Sequence, residues 1–285
     1  MPGSVAFVQP TSIDEAVDSL KEYGSDARLV AGGTAVSILL RERLIHPSAL
    51  ISLNAVPGLG SIEVADGHLR LGALVTHREV EKSTLVQSSA PALARAFRVV
   101  GNVRIRNAAT VGGVLAEADY ASDPPAVFLA LDASVEASSP GGARLISIRD
   151  FFVGFYETAL MPDEILTAVS IPIPPTRMGA AYEKYVTRSA EDRPCVGVAA
   201  MVQMGQTCEE LRVAVGAAAE TPQRFPDVEA TAYGTALEDD VVAAIADAYA
   251  DRIDTLDDMR GSAWYRTEMI RVWVRRAIQR ARDSR

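Results

Sequence analysis

Two short glycine turns carry the clearest chemical signal in this chain: Ala31-Gly32-Gly33-Thr34 and Thr110-Val111-Gly112-Gly113, each set between apolar runs. Glycine lacks Cβ and reaches positive φ without strain, so consecutive backbone N–H groups can converge on one hollow. The chemistry on offer is anion binding, and two such turns would form two halves of a cradle for a diphosphate. Taken singly, each turn also reads as an ordinary tight turn at a strand end. Neither is a dinucleotide fingerprint, which needs G-x-G-x-x-G between strand and helix and an acidic residue about 20 positions later.

The elements that must position these turns are legible in part. Ser12-Ile13-Asp14-Glu15 predicts a capping box, and apolar residues at helical spacing predict a helix over 12–23. Residues 27–31 read as a buried strand that delivers Gly32 and Gly33, and 49–53 as a second strand before the Pro57-Gly58 turn. A hairpin is expected over 61–65 and 68–72 around Asp66-Gly67, then a second capping box at Thr76–Glu79 and a helix over 90–100. Residues 101–125, which contain the second turn, show no clean periodicity and read as a long irregular segment of the functional kind.

Beyond it an apolar run covers 126–131, a strand lies near Val135, and an extended run covers 164–173. The cluster Pro172, Pro174, Pro175 marks a boundary. Strands over 181–186, 196–204 and 211–217, then helices over 239–253 and 262–282, predict a segregated C-terminal module. The expected division is 1–57, a small α/β unit, 58–176, and 177–285.

Composition removes several functions. A net charge of −9 argues against nucleic acid as a partner, because phosphate binding relies on clustered Lys and Arg. Six arginines from Arg271 to Arg285 are the exception and read as a solvated face of the last helix. No basic stretch followed by an apolar core opens the chain, and no run approaches the ~20 apolar residues of a membrane span, so a cytoplasmic protein is expected. Cys195 and Cys208 are the only cysteines, too few for an iron–sulfur cluster or a structural zinc site, and His46, His68 and His77 make no metal-ligand spacing.

What surrounds the turns is more specific. Arg28-Leu29-Val30-Ala31-Gly32-Gly33-Thr34 and the segment from Val100 to Ala116, with its Gly101…Ile105-Arg106-Asn107…Thr110-Val111-Gly112-Gly113 spacing, resemble the flavin-binding turns of the FAD-binding medium subunits of molybdenum hydroxylases. That is the family of carbon monoxide dehydrogenase and xanthine dehydrogenase, and the likeness runs along essentially the whole chain. It implies an α+β fold: a two-part FAD-binding domain of the PCMH or vanillyl-alcohol-oxidase-like type, then a C-terminal antiparallel sheet with helices. The two FAD-binding parts would be 1–57 and 58–176, with a carbon monoxide dehydrogenase flavoprotein C-terminal type of domain over 177–285.

The resemblance also implies roles. Ala31, Gly32, Gly33, Thr34, Ala35 and Val36, with Thr110, Val111, Gly112, Gly113 and Val114, would place backbone amides and two threonine hydroxyls around the FAD diphosphate, and Gly112 is expected at positive φ against it. Asp123 would accept hydrogen bonds from ribityl or ribose hydroxyls; a helix cap before Pro124-Pro125 is its alternative. Lys184 would lie near the isoalloxazine ring and stabilise negative charge on the reduced flavin, or else face solvent. Val100 and Leu166 would pack on the ring, or serve only as core.

No side chain is expected to act as nucleophile or general base. The implied partners are a molybdopterin-binding large subunit and a small subunit with two-iron two-sulfur clusters, making a hetero-oligomer that passes electrons through FAD to an external acceptor. Glu117, Tyr120, Arg193 and Pro194 depart from the commoner family pattern at the ring edge, which leaves the acceptor open. A stand-alone flavin enzyme of the same fold and a flavin-free scaffold are the competing readings.

Overall fold

The computed structural model describes residues 5–175 and 177–284. Strand β1 (Ala6–Val8) is followed by α1 (Ile13–Tyr23), which starts where Ser12 Oγ accepts the Glu15 N–H and ends at Gly24, φ 59°. The expected capping box is incomplete: the Glu15 carboxylate turns back to the Thr11 N–H at 2.7 Å and to the Thr11 hydroxyl. Strand β2 (Ala27–Val30) leads through the first glycine turn into α2 (Thr34–Arg41), and β3 (Ala49–Ser52) pairs in parallel with both β1 and β2. At eight residues α2 makes barely two turns, too few for periodicity to announce it.

The hairpin of β4 (Ile62–Ala65) and β5 (His68–Gly72) forms as expected, with Asp66 at φ 50° and Gly67 at φ 75°, both left-handed as a two-residue turn of this hand requires. Three helices follow: α3 (His77–Lys82), whose Thr76–Glu79 capping box is complete, α4 (Thr84–Ser89) and α5 (Pro91–Arg98). The segment expected to be irregular is largely helical, as α6 (Val103–Ala108), α7 (Val111–Glu117) and the start of α8 (Pro124–Ala130). Helices of six and seven residues cannot show a 3.6-residue period. Their caps were the available signal: Asn102 Oδ1 accepts the Arg104 and Ile105 N–H groups, and Thr110 Oγ1 accepts that of Gly113.

Strands β6 (Ser134–Ser139) and β7 (Gly142–Ser147) form a second hairpin, followed by the short α9 (Ile148–Phe151) and the pair β8 (Phe152–Gly154) and β9 (Glu157–Thr158). Strand β10 (Ile165–Pro172) closes an antiparallel sheet in the order β4-β5-β10-β6-β7. Its inner face and helices α3, α4, α5, α7 and α8 enclose an apolar core that includes Leu69, Leu71, Phe97, Val111, Leu115 and Phe128.

The C-terminal sheet of β11 (Met178–Tyr185), β12 (Val196–Met204) and β13 (Cys208–Gly216) is antiparallel, and α10 (Pro226–Glu229), α11 (Asp239–Arg252) and α12 (Ala263–Asp283) follow. Its own helices are segregated to one face, as expected, and α8 covers the other. Tyr182, Ala199, Met201 and Ala214 join the core around α8, whereas Val198, Ala200, Val202 and Val213 join the core with α11 and α12. Burial on both faces explains why β12 reads as a near-continuous apolar run. The arginines of α12 are not simply a solvated face: Arg271 pairs with Asp247 and Asp251, Arg275 with Asp247, and Arg280 with Glu183. Arg285 lies outside the described residues.

Candidate functional site

The first glycine turn supplies the donors. Gly33, at φ 68°, is the N-cap of α2, and the N–H groups of Gly32, Gly33, Thr34, Ala35 and Val36 have no hydrogen-bond partner among the described residues. All of Ala31 to Val36 is half-buried. Five adjacent amides at the positive end of a helix, in a segment half shielded from water, have the chemistry to bind an anion without a cation.

The second turn is built differently from expectation. Its amides are consumed inside the protein: Val111 N–H donates to Val75 O at 2.9 Å, Gly112 N–H to Ala73 O at 2.8 Å, Gly113 N–H to Thr110 Oγ1 at 3.1 Å, and Val114 N–H to Thr110 O at 3.0 Å. Gly112 is not at positive φ; it sits within the first turn of α7. It is glycine because a Cβ there would stand 2.6 Å from Ala73 Cβ and 2.9 Å from Ala73 O. The second turn therefore offers shape rather than donors.

The two turns meet. A Cβ on Gly32 would stand 1.8 Å from Ala108 O, at the end of α6 and two residues before Thr110. From the last turn of α6, the Arg106 guanidinium reaches back to donate to Val100 O at 3.1 Å and Gly101 O at 2.8 Å, and pairs with Glu81 at 3.1 Å. Helix α6 thus spaces the Val100 loop from the Gly32–Ala108 contact by about 9 Å, at 1.5 Å per residue. The arginine of the Ile105-Arg106-Asn107 motif holds the loop; it is not free to bind phosphate.

Asp123 and Lys184 lie together. Lys184 Nζ donates to Asp123 Oδ2 at 3.0 Å and to Val99 O at 2.8 Å, and the Tyr182 hydroxyl donates to Asp123 Oδ1 at 2.7 Å. Asp123 is not a side-chain cap of α8, and Lys184 does not face solvent. Burial pushes the Asp123 carboxyl up to about 6, against the opposing pull of Lys184 and the Tyr182 hydroxyl. Lys184 therefore stands as half of an ion pair rather than as an isolated cation. Leu166 is buried in the core on β10, the strand against which α7 packs.

The departing residues form a neighbouring cluster where α7 meets the C-terminal part. Arg193 pairs with Asp119 at 2.6 Å, and burial together with Asp119 raises the Glu117 carboxyl. Tyr120 donates to Asp258 Oδ2 at 2.9 Å, accepts from Arg260 at 3.1 Å, and meets Phe155 edge to face. The fully buried Arg266 of α12 holds Asp258 at 2.7 Å, with burial-opposed hydrogen bonds keeping that carboxyl down at about 2. Sequence reasoning gave no role to Arg106, Tyr182 or Asp258: Arg106 acts on loop carbonyls that no spacing rule names, and Tyr182 and Asp258 through partners far along the chain, Asp123 and Tyr120.

A half-buried run of free amides at a helix N-terminus, in contact through Gly32 with the segment that leads into the second glycine turn, fits a protein that binds a diphosphate-containing cofactor. Comparison with known proteins makes the class specific. Residues 3–174 match the family described as FAD binding domain in molybdopterin dehydrogenase, and residues 180–281 the CO dehydrogenase flavoprotein C-terminal domain. The chain is 36% identical over 279 residues to the nicotine 6-hydroxylase medium subunit of Paenarthrobacter nicotinovorans, covering 98% of this chain and 97% of that one. It is 33% identical to the carbon monoxide dehydrogenase medium chain of Afipia carboxidovorans, over 99% of this chain and 98% of that one. Among solved structures, a Cu,Mo-CO dehydrogenase chain superposes with a TM-score of 0.96 at 32% identity, covering all of both chains.

The chain belongs to the FAD-binding medium subunits of the molybdenum hydroxylase family, and it is an FAD-binding oxidoreductase subunit. The donor set agrees with that cofactor: the amides of Gly32–Val36 match a diphosphate in chemistry. Among the described residues no helix is long and apolar enough to cross a membrane.

Proposed function

We propose that this chain is the electron-transfer subunit of a molybdenum-containing complex, holding FAD between an iron–sulfur subunit that reduces it and an external acceptor that reoxidises it. The observation that carries the reading is the run of five partnerless amides from Gly32 to Val36, joined by the Gly32–Ala108 contact to the second turn. The names of its relatives, medium subunits and medium chains, support a hetero-oligomer. The partners of this proposal are a molybdopterin-binding large subunit and a two-iron two-sulfur small subunit. Bound FAD supplies the redox chemistry by exchanging electrons one or two at a time.

The chain's residues then divide the work. Gly32 to Val36 hold the diphosphate through N–H donors, with the Thr34 hydroxyl beside them. Thr110 to Val114 form the wall opposite, and Val100 and Leu166 offer apolar surface to the ring. Asp123 keeps lone pairs for a ribityl or ribose hydroxyl while Tyr182 and Lys184 fix its orientation. The division at 1–57, 58–176 and 177–285 puts the diphosphate site between the first two parts. Cys195 and Cys208, both buried and free, agree with a cytoplasmic location.

Purification of the tagged chain from its native host tests the proposal. Molybdenum, iron and FAD recovered in one complex with two further polypeptides is the expected result. A chain that purifies alone and turns over a small substrate with its own flavin would overturn it.

A further inference from the structure

A buried imidazole lies against the second glycine turn. His77 begins α3 and is only 2% exposed. Its ring lies edge to face with Phe97, centroids 4.7 Å apart, and its Nε2 is 3.3 Å from Thr110 O. Its Nδ1 is fully enclosed and has no hydrogen-bond partner among the described residues.

We propose that His77 is a positioning residue for the second glycine turn: a neutral imidazole, protonated on Nε2, that holds Thr110 and thereby the wall that faces the cofactor. The tautomer follows from the partners. A carbonyl oxygen only accepts, so the proton of this contact sits on Nε2. A proton on Nδ1 as well would be a buried donor without an acceptor, and the charged neighbour that reaches the ring is a cation, Arg106 on α6, itself paired with Glu81. From α5 the ring meets Phe97, and from the turn Thr110.

Two further contacts tie the same two segments: His77 N–H donates to Ala109 O at 2.9 Å and Val111 N–H donates to Val75 O at 2.9 Å, the pair that bridges Thr76 to Thr110. Thr110 O already accepts the Val114 N–H that starts α7. The imidazole therefore clamps the residue whose carbonyl and hydroxyl both define that helix start. This inference rests on the reading that the second turn faces FAD.

Two measurements on the full-length chain test it. In 15N-histidine-labelled protein, one imidazole is expected to be the Nε2–H tautomer and to remain uncharged to below pH 5, and its signals vanish in His77→Gln. FAD titrations of His77→Gln, which keeps an N–H donor at similar reach, and of His77→Phe, which keeps the ring without it, supply the second readout. His77→Gln should bind within about twofold of the parent and His77→Phe about fivefold more weakly, the loss of one hydrogen bond of ~1 kcal/mol. An Nδ1–H tautomer, or His77→Phe binding as tightly as the parent, would overturn the proposal. Should the parent bind no FAD, the functional reading fails, and the tautomer still decides whether His77 clamps Thr110.

Discussion

Gly32 and Ala108 approach so closely that the α-hydrogen of the glycine occupies the only space available: a Cβ there would lie 1.8 Å from the Ala108 carbonyl oxygen. This contact, between a strand-end turn and the end of α6, joins two residues 76 positions apart and brings the segments that carry the two glycine turns together. Gly32→Ala must push them apart. It should destabilise the chain by about 1–3 kcal/mol, the range of an overpacked site, and abolish FAD retention. Gly33→Ala meets only Val30 Cγ1 at 3.6 Å, and its cost is the left-handed φ of 68°, about 1–2 kcal/mol. Thermal melts and fluorescence titration with FAD should therefore show Gly33→Ala folded and binding, Gly32→Ala weakened in both.

Gly112→Val should fail for a reason unrelated to the cofactor. The added side chain meets Ala73 Cβ and backbone, so the variant should lose stability whether or not FAD is supplied. A chain folded as stably as the parent that lacked only FAD would instead place Gly112 against the diphosphate.

Lys184→Met should strand the buried Asp123 carboxylate. Removing one member of a buried ion pair costs about 3–5 kcal/mol, while Lys184→Met combined with Asp123→Asn should recover much of it. Chemical denaturation of the four proteins in a double-mutant cycle gives the coupling. Independent, additive losses would show that the pair contributes nothing as a pair.

Acid stability should carry two opposite signatures. His77, buried, has its pKa lowered to about 4 from 6.5, so the stability it contributes is present above pH 6.5 and lost as pH falls toward 4. The loss by pH 5 is about 2 kcal/mol relative to neutrality. Asp123, raised from 3.8 to about 6, contributes stability below pH 3.8 that is lost as pH rises through 6. Hence His77→Gln should make the decline between pH 7 and 5 shallower, and Asp123→Asn should make it steeper. Denaturant midpoints at several pH values decide; unchanged slopes in both variants would contradict both assignments.

Tyr120→Phe should loosen the join between the α7 end and the C-terminal part. It deletes the hydroxyl shared by Asp258 and Arg260, both largely buried, at a cost of about 1–3 kcal/mol. Native-state hydrogen exchange should rise over 254–261 in the variant; protection equal to the parent's would remove Tyr120 from that join.

How much of this was legible in the sequence follows from the range of each interaction. The hairpin at Asp66-Gly67, the strands of the C-terminal sheet and the two long helices were legible because their signals are local: turn chemistry, alternation, and enough residues to show a period. Helices α2, α6 and α7 escaped because six to eight residues give a weak period, and each opens on a glycine turn or a lone Asn or Thr cap rather than on the capping box of α3 or the Pro91 start of α5. The two turns were correctly singled out as glycine-dependent, but for the second the reason differs: packing on Ala73 rather than donation to a ligand. The Asp123–Lys184 pair spans 61 residues, and only the resemblance placed both near one cofactor. Arg106, Tyr182 and His77 act through carbonyls or carboxylates that no spacing rule names.

The central claim is that the amides of Gly32–Val36 hold the FAD diphosphate, and Ala35→Pro tests it most directly. Ala35 is the second residue of α2, where proline removes one N–H yet continues a helix, as Pro125 does at the second position of α8. Equilibrium titration of the parent and this variant with FAD, at equal thermal stability, should show one FAD per parent chain and binding about 10- to 100-fold weaker in the variant, the loss of one charge-assisted hydrogen bond of ~1.5–3 kcal/mol. A variant that binds FAD as tightly as the parent would contradict the account.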